Sequence, residues 1–100
     1  MAQEQGGVKE IDRVRMKEPE MYRVRFHNDD FTPMDFVVMV LCVVFFKSET
    51  EAEKLMLDVH NNDSAIVGTY PLDIALSKAK KTHIMAINNG YPLKVTVEPE

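Results

Sequence analysis

The feature that most restricts the fold is an apolar run, residues 36–46, in which none of the eleven side chains is charged. The run is well short of the roughly 20 residues that a membrane-spanning helix needs. It follows Thr32 and Pro33, which are typical of a helix N-cap and a first helical position, and Asp35 supplies an acidic first turn. The pattern predicts a helix over residues 33–46 that is apolar on every side. Such a helix is either enclosed or exposes a patch that has a role.

The two sides of this helix are interpreted separately. At helical spacing one stripe can pack against a sheet, and it consists of Phe36, Val37, Val40 and Val44. The opposite stripe also lacks charge, and it consists of Met39, Cys42, Val43 and Phe46. Because a solvent-facing stripe normally carries charge, the second stripe predicts an additional contact surface or self-association.

The rest of the chain predicts three strands and two more helices. Residues 21–27 alternate between apolar and polar side chains, as a half-buried strand does. Ser48 and Glu51 form a capping-box pair that starts a second helix, which continues to about Asn61. A short strand (65–69) follows, and then a third helix (71–87), which Asn-Asn-Gly (88–90) terminates. The apolar face of this helix consists of Ile74, Ala75, Ala79 and Ile84. Residues 93–97 form the last strand. The order β-α-α-β-α-β predicts an α+β fold, a small single domain in which a three-stranded antiparallel sheet carries three helices.

Composition argues against several classes of protein. The 100 residues are enough for one domain, and we predict a flexible tail (1–20) before a folded domain (21–100). A formal net charge of -4 argues against a nucleic-acid binder, whose footprint is basic and clustered. The single cysteine, Cys42, cannot form an intrachain disulfide and suits a cytoplasmic location. No segment has the pattern of a signal peptide or a membrane span, and no cofactor is predicted.

Three polar groups are candidates for chemistry: the Asn-Asp-Asp cluster at 28–30, Thr32 and His60. By default, adjacent carboxylates before a helix serve the turn, and a lone histidine is a half-buried side chain with one hydrogen bond. Asp30 and His60 could form a base and its orienting partner, but no nucleophile accompanies them, so an enzyme is disfavoured. A metal site is disfavoured because the available ligand types lack metal-ligand spacing; they are His27, Asp29, Asp30 and His60.

Recognition of a peptide amine is the remaining possibility for these groups. A free α-amino group is mostly protonated at neutral pH and offers three N–H donors with a positive charge. A carboxylate, an amide oxygen and a neutral imidazole nitrogen would satisfy all three donors. An acetylated terminus would lose the charge and leave some of these acceptors unmatched.

Four segments resemble the ClpS family at matching intervals: HNDDFTPMDFVV (27–38), LMLDVH (55–60), AIVGTY (65–70) and YPLKVTVE (91–98). The likeness spans residues 21–98. It implies a compact α+β fold and a monomeric, non-enzymatic adaptor. Such an adaptor binds N-degrons, which are substrates whose first residue is Leu, Phe, Tyr or Trp, and delivers them to the ClpA–ClpP AAA+ protease.

The resemblance also implies roles for individual residues. The α-amine would be bound by Asn28, Asp29, Asp30 and His60. The first side chain would enter a pocket of Phe26, Thr32, Met34, Val37, Met56, Val59 and Leu93. Within that pocket, Met34 would disfavour β-branched residues. On the third helix, Asp73 and Lys78 would meet the N-terminal domain of a ClpA-type unfoldase, and the tail would take part in handing over substrate.

One departure from the family pattern supports an alternative function. Phe26 stands where many relatives carry a smaller aliphatic residue, and it could close the floor of the pocket. In that case the chain would be a modulator, which binds the unfoldase and changes its choice of substrate without recruiting N-degrons.

Overall fold

Strands and helices follow one another in the order predicted from the sequence. The computed structural model describes residues 19–100. In this range the elements are β1 (Met21–His27), α1 (Met34–Val43), α2 (Glu49–Asn62), β2 (Ser64–Pro71), α3 (Leu72–Asn88) and β3 (Lys94–Pro99). The α+β class and the single-domain architecture are confirmed. The predicted tail, residues 1–20, lies outside the described residues except for Pro19 and Glu20.

The central strand of the sheet is β1, which carries the candidate site at its C-terminal end. The strand order is β2-β1-β3, and both neighbours pair antiparallel with β1. On the face away from the core, Arg25 forms an ion pair with Glu98 of β3 (Nε–Oε1 3.0 Å) and donates to Ser64 Oγ of β2 at 3.0 Å. One side chain therefore ties the three strands together, and the turn after His27 starts from a fixed position.

The predicted buried stripe of α1 is confirmed. Phe36, Val37, Val40 and Val44 are all 7% exposed or less. Phe26 of β1 is fully buried and packs edge-to-face on Phe45, with 5.5 Å between the ring centroids. Of the two alternatives for the opposite stripe, exposure is the one observed, at 38% for Met39, 56% for Val43 and 80% for Phe46, with Cys42 half-buried. The apolar run is therefore only partly enclosed.

The buried face of α3 differs from the prediction. The sequence pattern favoured Ile74 and Ile84, yet these are 43% and 45% exposed. Of the predicted face, Ala75 is fully buried and Ala79 is half-buried. The other buried side chains of the helix, Thr82 and Ala86, are also small. Small side chains let the helix backbone approach the sheet, and α3 contacts all three strands. The buried Thr82 hydroxyl is satisfied by donating to the Lys78 carbonyl at 2.9 Å.

The start of α1 corrects the predicted role of Thr32. The helix begins at Met34, the N-cap residue is Pro33, and no side chain caps the helix. Thr32 was predicted as the N-cap, but its hydroxyl donates to Asp29 Oδ2 at 2.8 Å. Since the hydroxyl serves the preceding turn, it is not available to cap the first backbone N–H groups of the helix.

The end of α1 comes three residues earlier than predicted. The last helical residue is Val43, and Phe46 adopts the left-handed region with a φ of 56°. The backbone N–H of Lys47 then donates to the Leu41 carbonyl, six residues back, at 3.1 Å, which turns the chain back over the end of the helix. A non-glycine residue in this conformation is uncommon, which is why the sequence did not indicate the stop.

The bounds of α2 agree with the prediction within one residue. The Ser48 side chain accepts a hydrogen bond from the Glu51 backbone N–H, as the capping pair predicted. The helix ends at Asn62, and the C-cap residue Asp63 has a φ of 67°, in the left-handed region that Asp tolerates. The carbonyl of Asp63 accepts from the Asn28 backbone N–H at 2.8 Å, which links the end of α2 to the turn after β1.

Candidate functional site

A cavity of about 210 Å³ lies where the turn after β1 meets the start of α1 and the second half of α2. We call it the polar-rimmed pocket. It is lined by nine residues, each of which was predicted as a site residue: Asn28, Asp29, Asp30, Thr32, Met34, Val37, Met56, Val59 and His60. The fold thus brings together two segments, 28–37 and 56–60, that are separated by eighteen residues in the sequence.

The turn at the rim is organised by the carboxylate of Asp29. Its Oδ1 accepts backbone N–H groups of Phe31 at 2.8 Å and Thr32 at 2.7 Å, and its Oδ2 accepts the Thr32 hydroxyl. Burial alone would raise the pKa of Asp29, but the hydrogen bonds from Thr32 and Phe31 outweigh it and lower the pKa below the ordinary value. Asp29 is therefore ionised at neutral pH, and both of its oxygens are engaged within the turn.

Three further acceptors stand at the rim with their side chains exposed, those of Asn28, Asp30 and His60. Within residues 19–100, no side-chain hydrogen bond or ion pair involves any of them. An amide oxygen, a carboxylate and an imidazole can each accept an N–H group. The rim therefore presents three acceptors of different types and one further negative charge, that of Asp29, close behind them.

The walls of the pocket are apolar. Val37 and Val59 are almost fully buried, at 7% and 3% exposed, whereas Met34 is 46% exposed and Met56 is half-buried. The valines form a fixed surface, and the two flexible methionines can adapt to guests of different shape. An apolar pocket with a few convergent polar groups is the usual form of a small-ligand site.

Two predicted pocket residues do not line this cavity. Phe26 and Leu93 belong to the hydrophobic core, at 0% and 4% exposed. Phe26 is engaged with Phe45, so its bulk fills the core of the domain. The residue that could have closed the pocket is thus not among its lining residues.

A second and larger cavity, about 760 Å³, lies on the outer side of α1 and α2, and we call it the helix groove. Its lining residues are Met34, Asp35, Val38, Met39, Cys42, Glu49, Glu53, Met56 and Leu57. It contains no amide or imidazole acceptor, so the smaller pocket matches an amine better despite its size. Of the groove residues, the sequence indicated Met39 and Cys42 as an outward apolar stripe. It missed the acidic groups, because nothing in the chain order shows that they share an edge.

The described residues do not form the alternative metal site. Within residues 19–100, no group of three or more His, Cys, Asp or Glu side chains could hold a metal ion. His27 instead hydrogen-bonds Thr96 Oγ1 at 2.8 Å on the open face of the sheet. Burial, with smaller contributions from Lys94 and Arg25, lowers the pKa of His27. No helix in this part of the chain is long and apolar enough to cross a membrane.

The sequence also matches a known family over most of its length. Residues 17–96 fit the family model described as ATP-dependent Clp protease adaptor protein ClpS. This chain belongs to the ClpS family. ClpS proteins are adaptors of the Clp protease, and the family is defined by that role and not by a catalytic activity.

Individual ClpS proteins resemble the chain along nearly all of both sequences. The adapter of Treponema denticola is 54% identical over 81 residues, 81% of this chain and 80% of that protein. The adapter of Acetivibrio thermocellus is 45% identical over 93 residues, 93% of this chain and 94% of that protein. Among solved structures, Agrobacterium tumefaciens ClpS2 bound to L-phenylalaninamide superposes with a TM-score of 0.80 at 41% identity, covering 83% of this chain and 100% of that one.

The two residues of α3 that were predicted to meet the unfoldase, Asp73 and Lys78, differ in their contacts. Asp73 is exposed in the first helical turn, where its carboxylate accepts the Ile74 N–H at 3.0 Å. The Lys78 ammonium donates to the Val44 carbonyl at 2.8 Å and lies 4.6 Å from the centroid of the Phe46 ring. Burial lowers the pKa of Lys78, and nearby lysines add to the effect. Lys78 thus holds the C-terminal end of α1, a role that the sequence could not show because its partners lie more than thirty positions away.

Proposed function

We propose that this chain is an adaptor that binds proteins through a free N-terminal amine and a bulky first side chain, Leu, Phe, Tyr or Trp, and delivers them to a ClpA-type AAA+ unfoldase with its protease. The observation that carries the proposal is the combination, in one small cavity, of amine acceptors at the rim and apolar walls behind them. The similar Agrobacterium ClpS2, whose structure contains L-phenylalaninamide, supports the same chemistry.

The amine would be recognised by its three N–H donors together with its positive charge. Its three N–H groups match the Asn28 amide oxygen, the Asp30 carboxylate and an unprotonated His60 nitrogen. Hydrogen bonds that involve a charged group contribute about 1.5–3 kcal/mol each. Asp29 would act differently from the other three, by holding the turn in shape and by adding negative charge near the ammonium.

The first side chain would be selected by burial in the pocket. Burying a Leu or Phe side chain contributes roughly 1.5–3 kcal/mol. Met34 stands partly exposed at the entrance and would crowd a guest that branches at Cβ, such as Ile or Val. Ordering the end of the peptide offsets part of the gain, so we expect micromolar or somewhat tighter affinity.

The partner surface is proposed to include α3. Asp73 is exposed and free to make an external contact, whereas Lys78 would contribute chiefly by keeping the α1 end and its aromatic cover in place. Charge reversal by Asp73→Lys should weaken binding to the isolated N-terminal domain of ClpA while leaving peptide affinity unchanged. We further expect the protein to act as a monomer in the bacterial cytoplasm, which gel filtration and cell fractionation would test.

The binding test compares a labelled peptide with a free N-terminal Leu and its N-acetylated twin by fluorescence anisotropy. The free peptide should bind and the acetylated one should not. Asp30→Asn should weaken the affinity for the free peptide about ten- to hundredfold, the equivalent of losing one charge-assisted hydrogen bond. Asp73→Asn makes the same charge change on α3 and should leave affinity unchanged. Equal binding of both peptides would refute recognition of the amine.

Delivery needs a separate experiment. Degradation of a protein with an N-terminal Phe by ClpA–ClpP should speed up when the chain is added, and the Asp30→Asn variant should not produce this effect. The modulator alternative depended on Phe26 closing the pocket, and Phe26 does not line the cavity. Inhibition of all substrates without any faster turnover of the Phe protein would nonetheless favour the modulator.

A further inference from the structure

The helix groove has an apolar floor and an acidic edge. Its floor consists of Val38, Met39, Cys42 and Leu57. Met39 and Leu57 are 38% and 47% exposed, so an occupant would remove apolar surface from water. Asp35, Glu49 and Glu53 line the edge, and no lysine, arginine or histidine does. The groove therefore suits a segment that carries both apolar and basic side chains.

A segment with these properties precedes the first strand of this chain. Residues 13–17 are Arg-Val-Arg-Met-Lys, in which basic and apolar side chains alternate and no acidic side chain occurs. Its three positive charges match the three carboxylates along the edge of the groove. Residues 13–16 precede the part of the chain that fits the ClpS family model, residues 17–96. A contact made by this segment would therefore be a property of this chain beyond the family match.

The segment can reach the groove because the chain enters the domain near the C-terminal end of α1. Tyr22, at the start of β1, pairs with Tyr70 of β2. The centroid of the Tyr70 ring lies 6.3 Å from that of Phe45, which follows α1. Arg13 precedes Tyr22 by nine residues, and an extended chain of that length spans up to about 30 Å. This span is enough to pass around a helix, about 10–12 Å in diameter, and to arrive at the end of the groove that Cys42 lines.

We infer that residues 13–17 dock in the helix groove of the same chain and obstruct the path of a peptide that leaves the polar-rimmed pocket. In an extended segment, alternate side chains point to opposite sides, so Val14 and Met16 would lie on the floor while the longer basic side chains reach the edge. Met34 and Met56 line both cavities, so an occupant of the groove lies beside the pocket. The docking is independent of the proposed function, whereas the obstruction rests on it.

A second copy of the chain is a poorer occupant of the groove. Two copies related by a twofold axis present the same surface to each other. Packing groove against groove would therefore bring the acidic edge of one copy towards the acidic edge of the other. The segment 13–17 of a second copy has the right charge, but it lacks a covalent link. A segment on a short linker is present at an effective concentration in the millimolar range, which favours the contact within one chain.

The docking is tested by a disulfide between the segment and the groove. Cys42 is the single cysteine, so Met16→Cys creates one possible intrachain pair. In a glutathione buffer the two thiols are oxidised to a disulfide while one oxidised glutathione is reduced to two thiols, and the equilibrium gives the effective concentration of the pair. It should be at least about fivefold above that of Gly7→Cys, whose longer loop alone accounts for a factor of less than about two. A ratio of two or less, or disulfide-linked dimers in place of the intrachain bond, would overturn docking within one chain.

A matched pair of variants in the Met16→Cys protein places the contact at the acidic edge. Glu53→Gln should lower the effective concentration by about twofold or more, and 1 M salt, where the Debye length is about 3 Å, should lower it as well. Glu51→Gln makes the same change two residues away, where Glu51 pairs with Lys47 and does not line the groove. It should leave the effective concentration as it is. Equal effects of the two variants would contradict a local contact.

The obstruction is tested with the full chain in which Arg13→Glu, Arg15→Glu and Lys17→Glu are combined. A peptide beginning Leu-Ser-Gly should bind this variant about two- to tenfold more tightly than the wild type, because a docked segment reduces the apparent affinity by the fraction of molecules that it obstructs. L-leucinamide, which has no following residue, should bind both proteins equally. If leucinamide binds neither protein, the proposed function is wrong. If leucinamide binds and the peptide affinity is unchanged, the obstruction is wrong and the proposed function stands.

Discussion

The shape of the proposed amine site depends on Asp29 more than on the proposed direct ligands. Its carboxylate accepts three hydrogen bonds inside the turn that presents Asn28 and Asp30, two from backbone N–H groups and one from the Thr32 hydroxyl. Asp29→Ala removes all three hydrogen bonds. Asp29→Asn keeps an oxygen for the two N–H groups and removes the negative charge; its NH2 group replaces the second oxygen, so the contact with Thr32 persists only if the hydroxyl accepts instead of donating. The pair of variants therefore separates the geometry of the turn from its charge.

The stability cost of each variant follows from these contacts. Loss of a side chain that caps backbone N–H groups costs about 0.5–2 kcal/mol, and Asn replaces Asp in this role with little loss. The Phe31 N–H is exposed and can turn to water, whereas the Thr32 N–H is partly buried. We expect Asp29→Ala to lower the free energy of unfolding by about 1–2 kcal/mol. At roughly 4–8 °C of Tm per kcal/mol for a domain of this size, Asp29→Asn should stay within a few degrees of the wild type.

The effect on stability should also depend on pH. The pKa of Asp29 in the folded protein is below its ordinary value of 3.8, so the folded state binds the proton less readily than the unfolded chain does. This contribution to stability is complete above the unfolded value and is lost as the pH falls through the folded pKa. The difference in stability between wild type and Asp29→Ala should therefore be full at pH 7 and shrink below pH 4.

Urea unfolding at pH 7 and pH 3 measures these differences, and anisotropy with the free Leu peptide measures binding. Asp29→Ala should lose about tenfold or more in affinity because the turn loosens. Asp29→Asn should lose no more than about fivefold, the equivalent of one screened charge interaction. If Asp29→Ala unfolds like the wild type and yet no longer binds the peptide, Asp29 is a direct amine ligand and the reasoning from the turn is refuted.

Three other predictions concern single side chains. His60→Ala should weaken binding of the free Leu peptide about tenfold or more, because it removes one acceptor for the amine, and unchanged affinity would remove His60 from the ligand set. Met34→Ala should admit peptides that begin with Ile or Val, whereas an unchanged preference would end its role as a gate. Lys78→Met should lower the free energy of unfolding by about 1–2 kcal/mol, since it removes a hydrogen bond to Val44 and the contacts with three aromatic rings. Lys80 is exposed on the same helix, so Lys80→Met should change the free energy of unfolding by less than about 0.5 kcal/mol. Equal losses for the two variants would contradict the role of the Lys78 contacts in stability.

The order of elements could be read from the sequence because each element carries its own local period. The alternation in β1 and the buried stripe of α1 needed no knowledge of distant residues. The end of α1 could not be read in this way. It depends on the left-handed Phe46 and on Lys78, thirty-four positions after Val44, and the apolar run continues past Val43 to Phe46 without a stop signal.

The face of α3 shows a different limit. Large apolar residues usually mark the buried side of a helix, and on that basis Ile74 and Ile84 were placed in the core. Here the buried side chains of the helix are Ala75, Thr82 and Ala86, all of them small. A hydrophobic pattern gives little weight to such residues, so it favoured the larger Ile74 and Ile84.

The candidate site, in contrast to the buried face of α3, could be predicted from local segments of the sequence. Its polar groups lie in two short segments, and each segment falls at the end of a clearly predicted element, so a resemblance in both segments at the correct interval located the pocket. The helix groove combines the outer stripe of α1 with acidic residues of α2, which the sequence places on separate helices. Only the packing of the two helices shows that Glu53 and Cys42 share one surface.

The two sides of the apolar run, residues 36–46, lie in different surroundings. Val40 and Leu41 lie in the core, and Met39 and Cys42 form part of the groove floor. At the far end, Val43 and Phe46 line a cleft of about 300 Å³ against α3, and the ammonium of Lys78 lies over the Phe46 ring. A charge on the outer stripe would solvate the helix but would remove apolar surface from the groove or the cleft. The absence of charge along the run therefore follows from two surfaces that flank a single helix, one on the side of α2 and one on the side of α3.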